Sequence, residues 1–312
     1  MQIVLLGATG FLGHHLLPAL SAAGHDCLVL CRYRPGCREL SVIPGVVLQQ
    51  ADIFDDEQLA KHFDGADAVI NMVGILNESG RKGKGFHKAH VELAEKMINA
   101  CQVCGVRRVV QVSALHAGKG SSHYLASKGQ AEDLIRAAKG LDSTFVQPSV
   151  IFGEGDSFFN RFAGLLKLAP AMPLACPDSK LQPVWAGDVV AATTLALTDP
   201  ETYGQALVMV GPKEYTLREL VEFTACVTGR KRKIIGLSDR LSRLQGRLMD
   251  FVPGKPFSSD NYRSLQTDNT SIENSLWRFG ITPRSIESTV PFYLSGSRNQ
   301  QRLDQCRKEA DG

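Results

Sequence analysis

A chain of 312 residues that is 44% hydrophobic and 21% charged is long enough for one large α/β domain, alone or with a smaller appendage, and has a globular balance. Its net charge of +3 excludes the strongly basic surface of a nucleic-acid-binding protein, so no nucleic acid partner is expected. No run approaches the roughly 18 apolar residues of a membrane span, and "MQIVLLG" lacks the basic start and longer apolar core of a signal peptide, which predicts a cytoplasmic protein.

In chain order, apolar runs of strand length occupy 2–6, 27–31, 46–49, 68–73, 108–113 and 144–147, with helical patterns between most of them. Several of those helices end in glycine. Near-continuous apolar strands alternating with helices predict a parallel sheet covered on both faces, a doubly wound Rossmann-type α/β fold that binds ligands beyond the carboxyl ends of its strands. Pro18 removes the bond its N–H would make to the His14 carbonyl, which predicts a bend in the first helix. The organisation expected is a dinucleotide-binding domain over 1–153 and a smaller, less regular substrate or partner region over 154–296 with elements packing back on the sheet. A tail over 297–312 follows.

Three glycines, Gly7-x-x-Gly10-x-x-Gly13, follow the first strand and lead into the first helix. They permit a tight turn, a close approach to a pyrophosphate and close helix–strand packing, which puts Thr9, Phe11 and Leu12 on the cofactor as well. The second strand ends in Cys31-Arg32-Tyr33-Arg34, with no acidic residue to hold a ribose 2′-hydroxyl. Arg32 and Arg34 therefore favour NADP(H) over NAD(H), the alternative being two solvated surface arginines. Asp52, followed by Ile53, ends the third strand, where it meets the adenine amino group or caps the next helix. Met72, Val73 and Gly74 end the fourth strand and line the cofactor channel.

Ser113 closes the fifth strand, and eleven residues later Tyr124 and Lys128 stand four apart at a helix start. Residues so spaced share a helix face, so the lysine ammonium is expected to lower a tyrosine pKa otherwise near 10. A phenol tuned in that way exchanges a proton with a substrate hydroxyl or carbonyl.

These motifs resemble the atypical or extended branch of the short-chain dehydrogenase/reductase superfamily, specifically over about residues 1–155 and more loosely beyond. The resemblance implies that Ser113, Tyr124 and Lys128 are catalytic, that Tyr124 and Lys128 also touch the nicotinamide half of the cofactor, and that Gln147, Pro148, Ser149 and Val150 wrap it. Within the superfamily, "VINMVGIL", "HVELAEKMINACQVCGVRRVVQVSAL" and "YLASKGQAE" look most like the subgroup of the nucleotide-binding accessory subunit of respiratory complex I and its free-standing bacterial relatives. His90 stands where extended members usually carry asparagine, and Glu92 and Ala94 replace a small Gly-Thr pair, which counts against a nucleotide-sugar epimerase or dehydratase. The resemblance implies an oxidoreductase for a small apolar carbonyl, alcohol or quinone-related compound. Its alternative is a non-catalytic, cofactor-bound protein supporting a respiratory or quinone-synthesis assembly.

Two basic segments remain. Residues 77–90 carry Arg81, Lys82, Lys84 and Lys88 among glycines, as a solvated loop or a lid over an anionic substrate. Residues 229–255 hold eight Lys or Arg against two Asp, with Leu237, Leu241, Leu244, Leu248 and Phe251 at helical spacing. That amphipathic helix, over 237–251, packs on its own domain or lies on an anionic membrane surface, which would put the protein at the inner face of a membrane. Arg161 and Lys167 would extend the same basic, apolar rim. Cys101 and Cys104, the only CxxC, fall in an apolar-periodic helix and read as core, and no histidine has ligand-spaced partners, so no metal is expected. His116 and His123 flank the Ser113–Tyr124 loop. Oligomeric state leaves no mark on this sequence.

Overall fold

The computed structural model describes residues 1–294 apart from Ser79, Arg81, Ala169 and Gly254, with only the backbone of Arg34 and Pro35. The expected tail and Arg81 lie outside the described residues.

Seven strands form one parallel sheet in the order β11-β6-β5-β4-β1-β2-β3. They are β1 (Gln2–Leu6), β2 (Asp26–Cys31), β3 (Val46–Gln50), β4 (Ala68–Asn71), β5 (Arg108–Val112), β6 (Asp142–Pro148) and β11 (Ala206–Met209). Every residue of β4 and β5 is buried, as strands covered on both faces must be. One face carries α1 (Phe11–Ala22) and α7 (Ala186–Thr198) over a core that includes Leu16, Leu20, Val29, Val189 and Leu207. The other carries α2 (Asp56–Phe63), α4 (Leu93–Cys104) and α5 (His123–Ala137) over Leu59, Phe63, Met97, Ile135 and Phe145. Winding reverses between β1 and β4, so a crevice opens there at the carboxyl ends of the strands.

Helix α1 runs unbroken through Pro18, which lies on its exposed side. The helix that leads into α4 starts as a short turn, α3 (Lys84–Phe86), then passes through a π-helical segment, His87–Glu92. Cys101 is fully buried and its thiol is pushed up to about 12 by burial, as a core thiol and not a redox one. Arg108 is buried under the end of α7, where its guanidinium donates to the Ala196 and Leu197 carbonyls and lies over the Tyr203 ring. A cation there satisfies carbonyls that a helix C-terminus leaves open.

Beyond β6 three short pairings appear: β7 (Ile151–Phe152) with β10 (Val184–Trp185), β8 (Ala171–Leu174) with β13 (Lys233–Gly236), and β9 (Lys180–Leu181) with β12 (Tyr215–Thr216). With α6 (Phe158–Leu168), α8 (Leu217–Val227) and α11 (Ile286–Leu294) they enclose a third core around Phe152, Phe159, Leu220 and Val290. Helices α9 (Asp239–Met249) and α10 (Ser259–Ser264) form an outer strap. Residues 184–209 return to the main sheet as α7 and β11, so the chain leaves the nucleotide-binding half after β6 and re-enters it. Among the described residues no helix is long and apolar enough to cross a membrane.

The glycine turn shows how closely α1 is set. A Cβ on Gly13 would fall 2.0 Å from the Ala8 carbonyl oxygen, whereas one on Gly10 would meet only the Gly7 oxygen, at 3.3 Å. Gly13→Ala is therefore expected to lower stability by about 3 kcal/mol. Gly10→Ala is expected to keep its urea midpoint and to weaken dinucleotide binding. Equal urea midpoints for the two variants would contradict this packing.

Candidate active site

The carboxyl ends of β1, β4 and β5 converge with the start of α5. Gly7 has φ +79°, and a Cβ there would lie 2.8 Å from the Val73 nitrogen and 2.9 Å from the Met72 carbonyl carbon. The turn is thus pressed onto the segment after β4. Gly10 precedes α1 with no side chain capping the helix and no acid in its first turn. Its free N–H groups and positive end face the crevice, and Thr9 and Gly10 are exposed there. Leu12 is partly buried against the core below, and Phe11 packs on the 153–155 turn. These residues fit a dinucleotide pyrophosphate.

Arg32 is exposed immediately after β2 and makes no ion pair among the described residues. The Arg34 side chain lies outside the described residues. Asp52 accepts from the Phe54 N–H at 2.9 Å, and it is Asp55, accepting from Glu57 and Gln58, that caps α2. The capping alternative for Asp52 therefore falls, because a carboxylate three residues nearer the helix takes that role. Ile53 and Val73 each pack against the second core, partly buried.

Lys128 is the buried charge of the site. Its ammonium donates to the Val73 carbonyl at 3.2 Å and to the Val112 carbonyl at 3.0 Å, and lies near Gly74. Asn71 braces the same strand ends, donating to Gln111 and accepting from the Val73 N–H, while Gln111 donates to the Val112 carbonyl. Burial lowers the Lys128 pKa to about 8, with Glu132 opposing the shift. The expected depression of the Tyr124 pKa is not what the structure has. Burial raises it to about 12, and the neighbouring ammonium donates instead to two backbone carbonyls. The Tyr124 hydroxyl makes no hydrogen bond among the described residues, and the buried Ser113 hydroxyl, directly after Val112, has no partner either.

His90 completes the cluster. Its ring lies edge-on to Tyr124, with centroids 5.7 Å apart, and Phe86 stacks similarly at 6.0 Å. Its Nδ1 is 2.8 Å from the Ser127 hydroxyl, whose one proton goes to the Tyr124 carbonyl. Nδ1 therefore carries the imidazole proton, and Nε2 is a buried lone-pair acceptor with no partner. Burial, reinforced by Lys128, holds the imidazole neutral with a pKa of about 2. The π-helical turn that presents His90 is a distortion that often marks functional positions.

The C-terminal strap supplies residues that sequence reasoning missed. Asp260 accepts from the His123 N–H at 2.8 Å and from the Tyr124 N–H at 3.0 Å, capping α5 from 136 positions away. Asn269 accepts from the Ser149 hydroxyl at 2.5 Å and from the Val150 N–H, and His116 meets the Thr270 carbonyl. Two of the residues expected to wrap the cofactor are thus committed elsewhere through their side chains. Ser149 holds Asn269, and the Gln147 amide nitrogen donates to the Glu132 carboxylate, within reach of both its oxygens, because β6 turns that side chain toward α5. The Pro148 carbonyl accepts from the Leu115 N–H. The 77–90 loop is not a solvated coil in its described part. The Glu78 carboxylate accepts from the Gly83 and Gly85 N–H groups, and Lys255 donates to the Glu78 and Gly80 carbonyls. Lys88 lies over the Phe54 ring, and Arg161 reaches the Pro256 carbonyl.

The Lys128 shift has a consequence for stability. Between pH 8 and 10.5 the unfolded chain holds a proton that folded Lys128 lacks, so folding stability rises with pH across that window. Tyr124 acts oppositely from pH 10 to 12, where the unfolded phenol ionises first. Relative to Lys128→Met, the wild type should gain up to about 3 kcal/mol in urea unfolding between pH 8 and 10.5. A flat difference would contradict the burial of the charge.

Residues 7–157 match the model of an NAD(P)H-binding family. A ceramide reductase of Caulobacter vibrioides is 31% identical over 80% of this chain and 77% of its own length. The mouse mitochondrial protein "NADH dehydrogenase [ubiquinone] 1 alpha subcomplex subunit 9" is 30% identical over 91% and 77%. Two solved structures share the fold. They are a dTDP-glucose 4,6-dehydratase from Streptomyces venezuelae (TM-score 0.76, 20% identity, 94% of this chain and 96% of that one) and an NADPH-dependent quinone oxidoreductase from Escherichia coli (0.72, 18%, 92% and 97%). The chain belongs to the family of the complex I alpha subcomplex subunit 9 proteins and the Caulobacter ceramide reductase, with an NAD(P)H-binding match over residues 7–157.

Proposed function

We propose that the protein is an NADP(H)-dependent reductase of the short-chain type whose substrate is an apolar carbonyl compound, quinone-like or lipid-like. The observation that carries this reading is the Ser113 hydroxyl, buried at the end of β5 without a partner beside the Tyr124–Lys128 helix. A buried hydroxyl left unpaired costs about 1–3 kcal/mol, which a substrate oxygen would recover. A bound nicotinamide supplies the hydride in such chemistry. Ser113 donates a hydrogen bond to the substrate oxygen and Tyr124 gives that oxygen its proton, so the carbonyl becomes an alcohol as its carbon takes the hydride. Lys128 lowers the cost of the phenolate left behind once its ammonium leaves the two carbonyls. Kinship to the Caulobacter ceramide reductase supports a reductase with a lipid-like substrate. Arg32, exposed after β2, would meet a 2′-phosphate.

A second reading is a cofactor-bound, non-catalytic component of a respiratory or quinone-synthesis assembly. The relatives named as complex I subunits support it, as does a Lys128 ammonium engaged with carbonyls while Tyr124 sits at about 12. Nucleotide-sugar epimerisation has only the fold in its favour, and His90, Glu92 and Ala94 count against it.

Purified protein given NADPH with short-chain quinones and apolar carbonyls should consume the nucleotide. Tyr124→Phe should lower kcat at least ~100-fold while NADPH still binds. Arg32→Ala should weaken NADPH binding roughly tenfold and spare NADH. Nucleotide that stays bound and unreacted across the panel would favour the second reading, and equal losses for NADPH and NADH would sink the role of Arg32.

A further inference from the structure

Helix α9 attaches to the protein by its smallest residues. Ser242 and Gly246 are buried, the Ser242 hydroxyl accepts from the Cys176 N–H at 3.1 Å, and a Cβ on Gly246 would lie 3.2 Å from the Ser258 carbonyl oxygen. The leucines take no part in that attachment. At about 100° per residue, Leu241, Leu244 and Leu248 fall within roughly 60° of arc, some 150° round from the buried pair. They are 50%, 49% and 58% exposed. Of the stripe expected to pack on its own domain or lie on a membrane, Leu241, Leu244 and Leu248 do not make the close contact, which a glycine and a serine provide instead.

Arginines border the stripe. Arg240, Arg243 and Arg247 lie along one flank, are exposed, and make no ion pair among the described residues. Asp239 is engaged by the Tyr262 hydroxyl, and Asp250 by Ser259. The segment's two acids are therefore turned to internal bonds while its cations face outward. An apolar stripe beside an unpaired basic flank matches an anionic bilayer surface, where leucines enter the acyl boundary and guanidinium groups meet lipid phosphates.

We infer that α9 is an interfacial helix that docks the protein on an anionic lipid bilayer. The docking rests on α9 alone and stands whether or not the site turns over a substrate. It also bears on the site. Helix α9 is bonded to α10 through Asp239–Tyr262 and Asp250–Ser259, and Asp260 of α10 holds the Tyr124 end of α5. A lipid-facing helix one layer from Tyr124 suits a substrate resident in the bilayer.

The test is flotation of full-length protein with phosphatidylcholine vesicles, alone or mixed equally with phosphatidylglycerol. Wild type should float with the mixed vesicles and lose binding as salt rises. The triple variant Arg240→Gln, Arg243→Gln, Arg247→Gln should bind them on the order of a hundredfold more weakly. The double variant Leu244→Glu, Leu248→Glu should stay with the soluble fraction while keeping its circular dichroism and NADPH binding. Wild type that fails to float, or a leucine variant that floats as well as wild type, would overturn the proposal. So would light scattering that shows a lipid-free dimer abolished by the leucine substitutions, since the face would then meet a second copy.

Discussion

One buried ammonium group constrains the site. Parallel strands leave carbonyls at their carboxyl ends, and Lys128 is held there by two of them, from Val73 and Val112. Removing its charge from water is costly, and the low pKa of about 8 shows how little the site offers in return. The surroundings follow from that tension. Asn71 and Gln111 fix the carbonyls, Gly74 leaves space beside the ammonium, and the imidazole of His90 is kept neutral. Tyr124, one turn earlier on the same helix, stays a neutral phenol while the charge is pinned to the backbone. A polyol such as a ribose would offer the ammonium other acceptors, and the phenol would then feel it.

The strap gives this centre its geometry from outside the nucleotide-binding half. Asp260 places a carboxylate on the first N–H groups of α5, where helix dipole and open donors both favour an anion. Lys255 ties the strap to the Glu78 loop, and Asn269 fixes the chain after β6. Movement of the strap would therefore be felt at Tyr124 through hydrogen bonds to its own backbone. The same strap carries α9, so the face turned to the surroundings and the helix bearing Tyr124 belong to one connected unit.

The parallel sheet was legible because β1, β4 and β5 carry continuous apolar runs (Ile3–Leu6, Ala68–Ile70 and Val109–Val110) and the Gly7–Gly13 turn joins a strand to a helix at a fixed spacing. The placing of Ser113 at a strand end beside the helix of Tyr124 and Lys128 was legible for the same reason, being local in sequence. What could not be read was set by distant contacts or by competition between effects. Asp260 and Asn269 are ordinary polar residues in a polar stretch until folding brings them to α5 and to Val150. A spacing of four put Lys128 on the face of Tyr124, yet spacing does not say that two carbonyls will claim its ammonium. Gln147 lay in the expected cofactor segment, but strand alternation gave its side chain to Glu132. The leucines of α9 had the correct period in sequence, and the buried Ser242 and Gly246 reveal which way they face.

The central claim is that Lys128 and Tyr124 form a proton-transfer pair that is completed by the dinucleotide. It is tested most directly by titrating tyrosinate absorbance in wild type minus Tyr124→Phe, with and without saturating NADP+. Without nucleotide, Tyr124 should ionise near 12. With nucleotide bound, the account predicts a fall of more than about one pH unit, as the ammonium leaves the carbonyls and faces the phenolate. A Tyr124 pKa unmoved by bound NADP+ would contradict it and leave the nucleotide a structural ligand.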